Sequence, residues 1–97
     1  MPTYIILTNH TEKGIEHIKQ GPERLDSVKG LFKKMGAELK GFYLVQGRYD
    51  IISVAEAPND ETVAKLALAI GSQSNFRTET MRAFSENEYH KIISALP

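Results

Sequence analysis

Residues Leu39 to Glu56, LKGFYLVQGRYDIISVAE, hold two apolar runs that meet at Gly47-Arg48. A glycine at the first central position of a two-residue loop is what a type II′ turn requires, so the stretch reads as a β-hairpin. That loop sets Val45 opposite Asp50, Tyr43 opposite Ile52 and Gly41 opposite Val54 on one face. Gln46 with Tyr49, Leu44 with Ile51 and Phe42 with Ser53 share the other. Both faces are then largely apolar, which an antiparallel sheet with one wet side does not show. Helices of the same chain can cover one face, and the second calls for a partner subunit.

Upstream, Thr3 to Thr8, TYIILT, is a β-branched and aromatic run that ends in the polar cluster Asn9-His10-Thr11, and it reads as the first strand. Thr11 can cap a helix beginning at Glu12, with Ile15 and Ile18 three apart, until Gly21-Pro22 interrupts. Proline is tolerated in a first helical turn, so the helix restarts near Pro22 and carries Leu25, Val28, Leu31, Phe32 and Met35 along one stripe to Gly36. The first helix is therefore kinked or split. Downstream, Asn59 caps a second helix whose stripe is Val63, Leu66, Ala67 and Ile70, closing at Gly71. From Asn75 to Phe84 the pattern alternates, with Phe76, Thr78, Thr80, Arg82 and Phe84 on one face and Arg77, Glu79, Met81 and Ala83 on the other. That fourth strand is polar enough for a sheet edge. Ser85 and Glu88 have capping-box spacing before Tyr89, Ile92, Ile93 and Leu96, which predicts a short C-terminal helix.

The order β-α-β-β-α-β with one added helix is the split βαβ arrangement called ferredoxin-like, an α+β fold with helices on one face of the sheet. Two such sheets packed through their open faces make a dimeric α+β barrel. In this reading the first and third strands are central and parallel, which sends Thr8-Asn9-His10 to the opposite end of the sheet from Tyr49-Asp50.

The 97 residues make one domain, 1–97, able to bury about two-thirds of its unfolded surface. Twelve basic residues balance twelve acidic ones and no Lys/Arg block occurs, so nothing points to a nucleic-acid partner. Cysteine is absent, which removes disulfides, thiolate metal sites and thiol nucleophiles together. MPTYIILTNH lacks the basic segment followed by a long apolar core that marks a leader, and no stretch reaches the roughly 18 apolar residues of a membrane span. The expectation is a cytoplasmic protein with no membrane partner.

Several segments together resemble the GYD domain family, small bacterial and archaeal proteins of the dimeric α/β-barrel superfamily. They are Tyr4 to Asn9, Gly14-Ile15, Ile18-Lys19, Pro22, Arg24, and the signature residues Gly47, Tyr49 and Asp50. Glu56 to Glu61, Asn75, Arg77-Thr78 and Arg82-Ala83-Phe84 extend the likeness over nearly the whole chain. Ser74 stands where the family's pattern has glycine. The resemblance implies the fold and a homodimer or an assembly of dimers. It implies no reaction, since the superfamily includes monooxygenases, haem enzymes, isomerases and ligand-sensing domains.

Among candidate site residues, Asp50 with Tyr49 and Tyr43 would place a carboxylate and two phenols beside a tight turn, fit to orient a ligand hydroxyl or act as a base. The competing reading is that Asp50 accepts local amides and fixes the hairpin. Asn9 and His10, with the start of the second helix, form a second, weaker candidate at the far rim. Arg77 and Arg82 lie on opposite faces of the fourth strand, so one at most serves a shared cleft. Lys19 and Arg24 flank a helix start that could hold an anion. His10, His17 and His90 have no metal-ligand spacing, and no phosphate loop or nucleophile elbow occurs, so no motif implies a metal or a cofactor. Two function classes follow: a homodimeric module that binds a small molecule, or a cofactor-free or haem-using enzyme of the monooxygenase or isomerase kind.

Overall fold

The computed structural model describes all 97 residues. Strand β1 (Thr3–His10) is followed by α1 (Glu12–Glu16), a 3-10 turn (Ile18–Gln20) and α2 (Gly21–Lys34). Strands β2 (Glu38–Leu44) and β3 (Ile51–Glu56), helix α3 (Asp60–Gly71), strand β4 (Phe76–Ala83) and helix α4 (Glu86–Ser94) complete the chain. The first helical segment is split as the Gly21-Pro22 pair predicts. Its pieces are held together by Arg24, whose guanidinium donates to the carbonyls of Gly14 at 3.2 Å and His17 at 2.9 Å. Those bonds satisfy the C-terminal carbonyls of α1 and occupy the arginine that the sequence offered as an anion ligand.

Three helix starts, those of α1, α3 and α4, carry a side-chain cap. Thr11 Oγ1 accepts the Gly14 N–H at 3.1 Å, and Asn59 Oδ1 accepts the Thr62 N–H at 2.9 Å. At α4, Ser85 and Glu88 satisfy each other's backbone N–H groups in a complete capping box. Helix α2 ends in a Schellman motif, with Ala37 N–H donating to Phe32 C=O at 2.9 Å and Gly36 N–H to Lys33 C=O at 3.1 Å.

The sheet has the order β2-β3-β1-β4, with every neighbouring pair antiparallel. Gly41 pairs with Val54, Phe42 with Ser53, Tyr43 with Ile52 and Leu44 with Ile51, the register that the hairpin reading requires. A bulge at Lys40 lies between the Leu39 and Gly41 pairs. Tyr4, Ile6 and Ala55 face the helices and join Phe32, Val63 and Leu66 in the core. The other face carries Ile5, Leu7, Ile52, Val54 and Met81, and none of these is buried. Helices thus cover one face of an apolar sheet and leave the second open.

Two sequence expectations are corrected. The loop is not a two-residue type II′ turn: the strands end at Leu44 and Ile51, and the last bond across the hairpin is Val45 N–H to Asp50 C=O at 2.9 Å. Gly47 does take positive φ, at +144°, but far from the value near +60° at the first central position of that turn. The physical reason is that Asp50 is held by β1, its N–H donating to Thr8 C=O at 3.0 Å, which draws it out of a closed turn. Second, β1 and β3 are central but antiparallel, with Thr8 opposite Ile51. A chain that goes up β1, up β2 and back through the hairpin must bring β3 down beside β1. The end of β1 and the start of β3 therefore share one end of the sheet, and the start of α3 lies at the other.

Helix α4 buries none of its residues. Its stripe of Tyr89, Ile92 and Ile93 is 44 to 56% exposed. The radius of gyration, 14.7 Å, exceeds the value of about 12.5 Å for a compact domain of this length, as a projecting helix requires.

Candidate functional site

Antiparallel β1 and β3 bring His10 and Asp50 together. His10 closes β1 opposite Phe76 of β4, and its ring lies 5.4 Å from the Phe76 ring at a 44° tilt. Asp50 Oδ2 accepts the His10 backbone N–H at 2.9 Å and stands 3.3 Å from His10 Nδ1. The carboxylate is 42% exposed in its side chain and the imidazole 7%, so the charge sits at the rim and the ring inside. A carboxylate only accepts, so Nδ1 carries the proton toward it, and a neutral ring keeps Nε2 as an acceptor. The same arrangement serves either to fix a ligand's polar group or to take a proton from it.

His10 forms part of the wall of a cavity of about 330 Å³ between the helix-covered sheet face and α2 with its preceding 3-10 turn. The walls are mainly apolar, with Ile6, Leu25, Val28, Phe32 and Ile51 among them. Thr8, Ser53 and Thr78 add hydroxyls from three strands of the same face. Thr8 and Ser53 are each 7% exposed, and neither hydroxyl has a side-chain partner within the protein. Neither is sealed off either, since the one buried side-chain oxygen without a partner or access is Asn75 Oδ1. Ile18, Phe42 and Leu44 also line the cavity, and each is more than a third exposed, which marks them as its mouth.

Of the three residues grouped at the hairpin by sequence, the structure places only Asp50 against this cavity's histidine. Tyr43 lies on the open sheet face, 60% exposed. Tyr49 reaches from the loop toward the open face, its hydroxyl 3.5 Å from Glu79 Oε2. Asn9 and Arg77 are partners in register on that open face. Arg82 is at the far end, on the helix-side face, 5.7 Å over the Tyr4 ring and 3.9 Å from Glu88. There Tyr4, 2% exposed, donates its hydroxyl to Asp60 at the start of α3. Burial, then that hydrogen bond and the Asp60 charge, push the Tyr4 phenol above its ordinary value. Asn9 and His10 are thus separated from the start of α3, with which the sequence grouped them, and His10 is joined to Asp50. Nowhere do three His, Asp or Glu side chains converge as metal ligands. No helix is long and apolar enough to cross a membrane.

Sequence reasoning missed Thr8, Ser53, Phe76 and Thr78 as site residues. The available signal was a hydroxyl on the inward side of an otherwise apolar strand, at Thr8 in TYIILT and Ser53 in IISVAE.

A model of the GYD domain matches residues 4–93. A Thermus thermophilus protein named glutamine synthetase and cystathionine beta-lyase binding protein is 36% identical over 84 residues, 86% of this chain and 88% of that one. Among solved structures, a hypothetical protein from Pyrococcus horikoshii superposes with a TM-score of 0.56 at 27% identity, over 93% of this chain and 98% of that one. A feast or famine regulatory protein from M. tuberculosis, complexed with L-methionine, superposes with a TM-score of 0.66 at 14% identity. That match covers 88% of this chain and 51% of the regulator, so the chain spans about half its length and shares its ferredoxin-like fold.

Proposed function

From the premise that the chain belongs to the GYD domain family, we propose that it is a homodimeric module that binds a small molecule in the cavity between sheet and α2. The observation that carries this reading is a buried histidine on a mainly apolar cavity, oriented by a carboxylate at the rim. Small-molecule sites combine apolar walls with a few fixed polar groups in this way, in volumes of about 300–1,000 Å³. Asp50 serves the site through His10, while Tyr43 and Tyr49 belong to the open face and the seam between subunits.

The dimer forms through that open face. Tyr43 and Met81, 60% and 41% exposed, extend the apolar surface of Ile5, Leu7, Ile52 and Val54, and an unpaired monomer would leave it in water. The relative named for binding glutamine synthetase and cystathionine beta-lyase supports an enzyme as the dimer's protein partner.

Asp50→Asn tests the assignment, because it removes charge while keeping shape. The dimer should persist, and binding of a co-purified ligand should weaken by about tenfold, the value of a charge-assisted contact. Unfolding of this variant together with unaltered binding in Tyr49→Phe would assign Asp50 to the framework. The His10–Asp50 pair also favours an enzyme as the second reading, since it can take a proton from a bound substrate without a cofactor. An absorbance scan after expression in iron-replete medium separates the haem-using form of that reading by its Soret band.

A further inference from the structure

We propose that the cavity selects a neutral, single-ring ligand with one hydroxyl donor, a phenol or an enol, whose O–H is received by His10 Nε2. This rests on the cavity being the ligand site and adds the chemical class that the site takes. The donor preference follows from the pairing of His10. Its Nδ1–H is committed to Asp50, so a neutral ring presents an acceptor, and Nε2 has no partner in the protein.

Neutrality follows from the walls. No Lys, Arg, Asp or Glu lines the cavity, so an ammonium or carboxylate inside it would be desolvated without a counter-charge. A free amino acid carries both charges and is disfavoured here. The single ring follows from size and shape: about 330 Å³ is at the small end for ligand sites, and Phe32, Phe42 and Phe76 offer aromatic surfaces around it. Thr8 and Ser53 hydroxyls, unpaired inside the protein, can donate to the oxygen whose proton His10 receives.

The test titrates the protein with 4-propylphenol, its methyl ether 4-propylanisole, and L-methionine, following amide shifts by NMR. The phenol should bind at least about tenfold more tightly than the ether, the factor expected for one satisfied buried hydrogen bond. Methionine should not saturate the cavity. In His10→Phe the preference for phenol over ether should vanish while the ether still binds, and His10→Gln, which restores an acceptor, should recover part of it. Should His10→Phe fail to fold, long-range proton–nitrogen spectra of the unaltered protein decide instead. They should show Nδ1 protonated and Nε2 bare, with Nε2 shifting on addition of the phenol. Equal binding of phenol and ether overturns the donor class and leaves the cavity reading intact. Tighter binding of methionine overturns neutrality. Binding of neither aromatic, or equal binding by a Ser53→Phe variant with a filled cavity, overturns the cavity reading itself.

Discussion

One oxygen of Asp50, Oδ2, faces both the backbone N–H and the ring Nδ1 of His10, at 2.9 and 3.3 Å. Its own backbone joins two strands, donating to Thr8 C=O and accepting from Val45 N–H. Asp50 therefore joins the hairpin to β1 and orients the one histidine on the cavity. Asp50→Ala should cost about 1–3 kcal/mol, because it leaves the His10 N–H without its acceptor. Asp50→Asn should cost less, since an amide oxygen can still accept there. Urea unfolding of the two variants measures the difference, and equal costs would mean that the N–H bond contributes nothing.

The Thr11–Gly14 turn meets the Ser74-Asn75 backbone at one crossing. A Cβ on Gly14 would lie 2.2 Å from the Asn75 carbonyl oxygen, and that oxygen accepts the Thr11 N–H. Backbone cannot yield as a flexible side chain would, so Gly14→Ala should destabilise by about 1–3 kcal/mol. Ser74 is the chain's one non-glycine residue at positive φ, +67°. Ser74→Gly, the residue of the family's pattern, should stabilise by about 0.5–1 kcal/mol through relief of left-handed strain. Thermal unfolding of the pair should move in opposite directions.

Two groups set pH limits at the end of the sheet remote from the cavity. Tyr4 is held above its ordinary value of 10.0, first by burial and then by Asp60. Its stabilising contribution is complete below the unfolded value and is lost as pH rises through the higher folded one. Alkaline absorbance titration should therefore show the ionisation of Tyr4 accompanying unfolding. Glu88 is lowered below 4.5, first by the Ser85 backbone N–H and then by the Ser85 hydroxyl. Its contribution is present above the unfolded value and lost as pH falls through the folded one, so the start of α4 should fray at acid pH. Carbon shifts of Glu88 and amide exchange at Ser85 report that fraying.

Dimerisation through the open face predicts a melting temperature that rises with protein concentration. Ile52→Asp should shift sedimentation toward monomer, because it places a charge in the centre of the apolar face. Lys65→Ala, on an exposed turn of α3, should leave the dimer unchanged. Sedimentation showing only monomer for the unaltered protein at micromolar concentration would contradict the paired sheets.

Local signals in the sequence decided most of the fold. Centring the loop on Gly47-Arg48 yields the pairs that form, Leu44 with Ile51, Tyr43 with Ile52 and Phe42 with Ser53, even though the loop is wider than a tight turn. Thr11, Asn59 and Ser85 mark helix starts because their side chains bond three residues ahead. Strand direction is different, for it depends on the path of the whole chain, and nothing local in TYIILT says that it runs against IISVAE. The site inherited that difficulty. His10 and Asp50 were both recognisable as residues with chemistry, but their contact exists only once β1 and β3 are antiparallel. Thr8, Ser53 and Thr78 look like ordinary strand residues until three strands and a helix enclose the same space.

Native mass spectrometry of the protein at micromolar concentration, with 4-propylphenol present and beside Ser53→Phe, reads subunit pairing and cavity occupancy at once. A dimer that carries one small molecule per subunit is expected, and a folded Ser53→Phe dimer that carries none, because the new ring occupies the space that the Ser53 side chain borders. A bare monomer, or an adduct retained equally by the filled variant, would contradict this expectation.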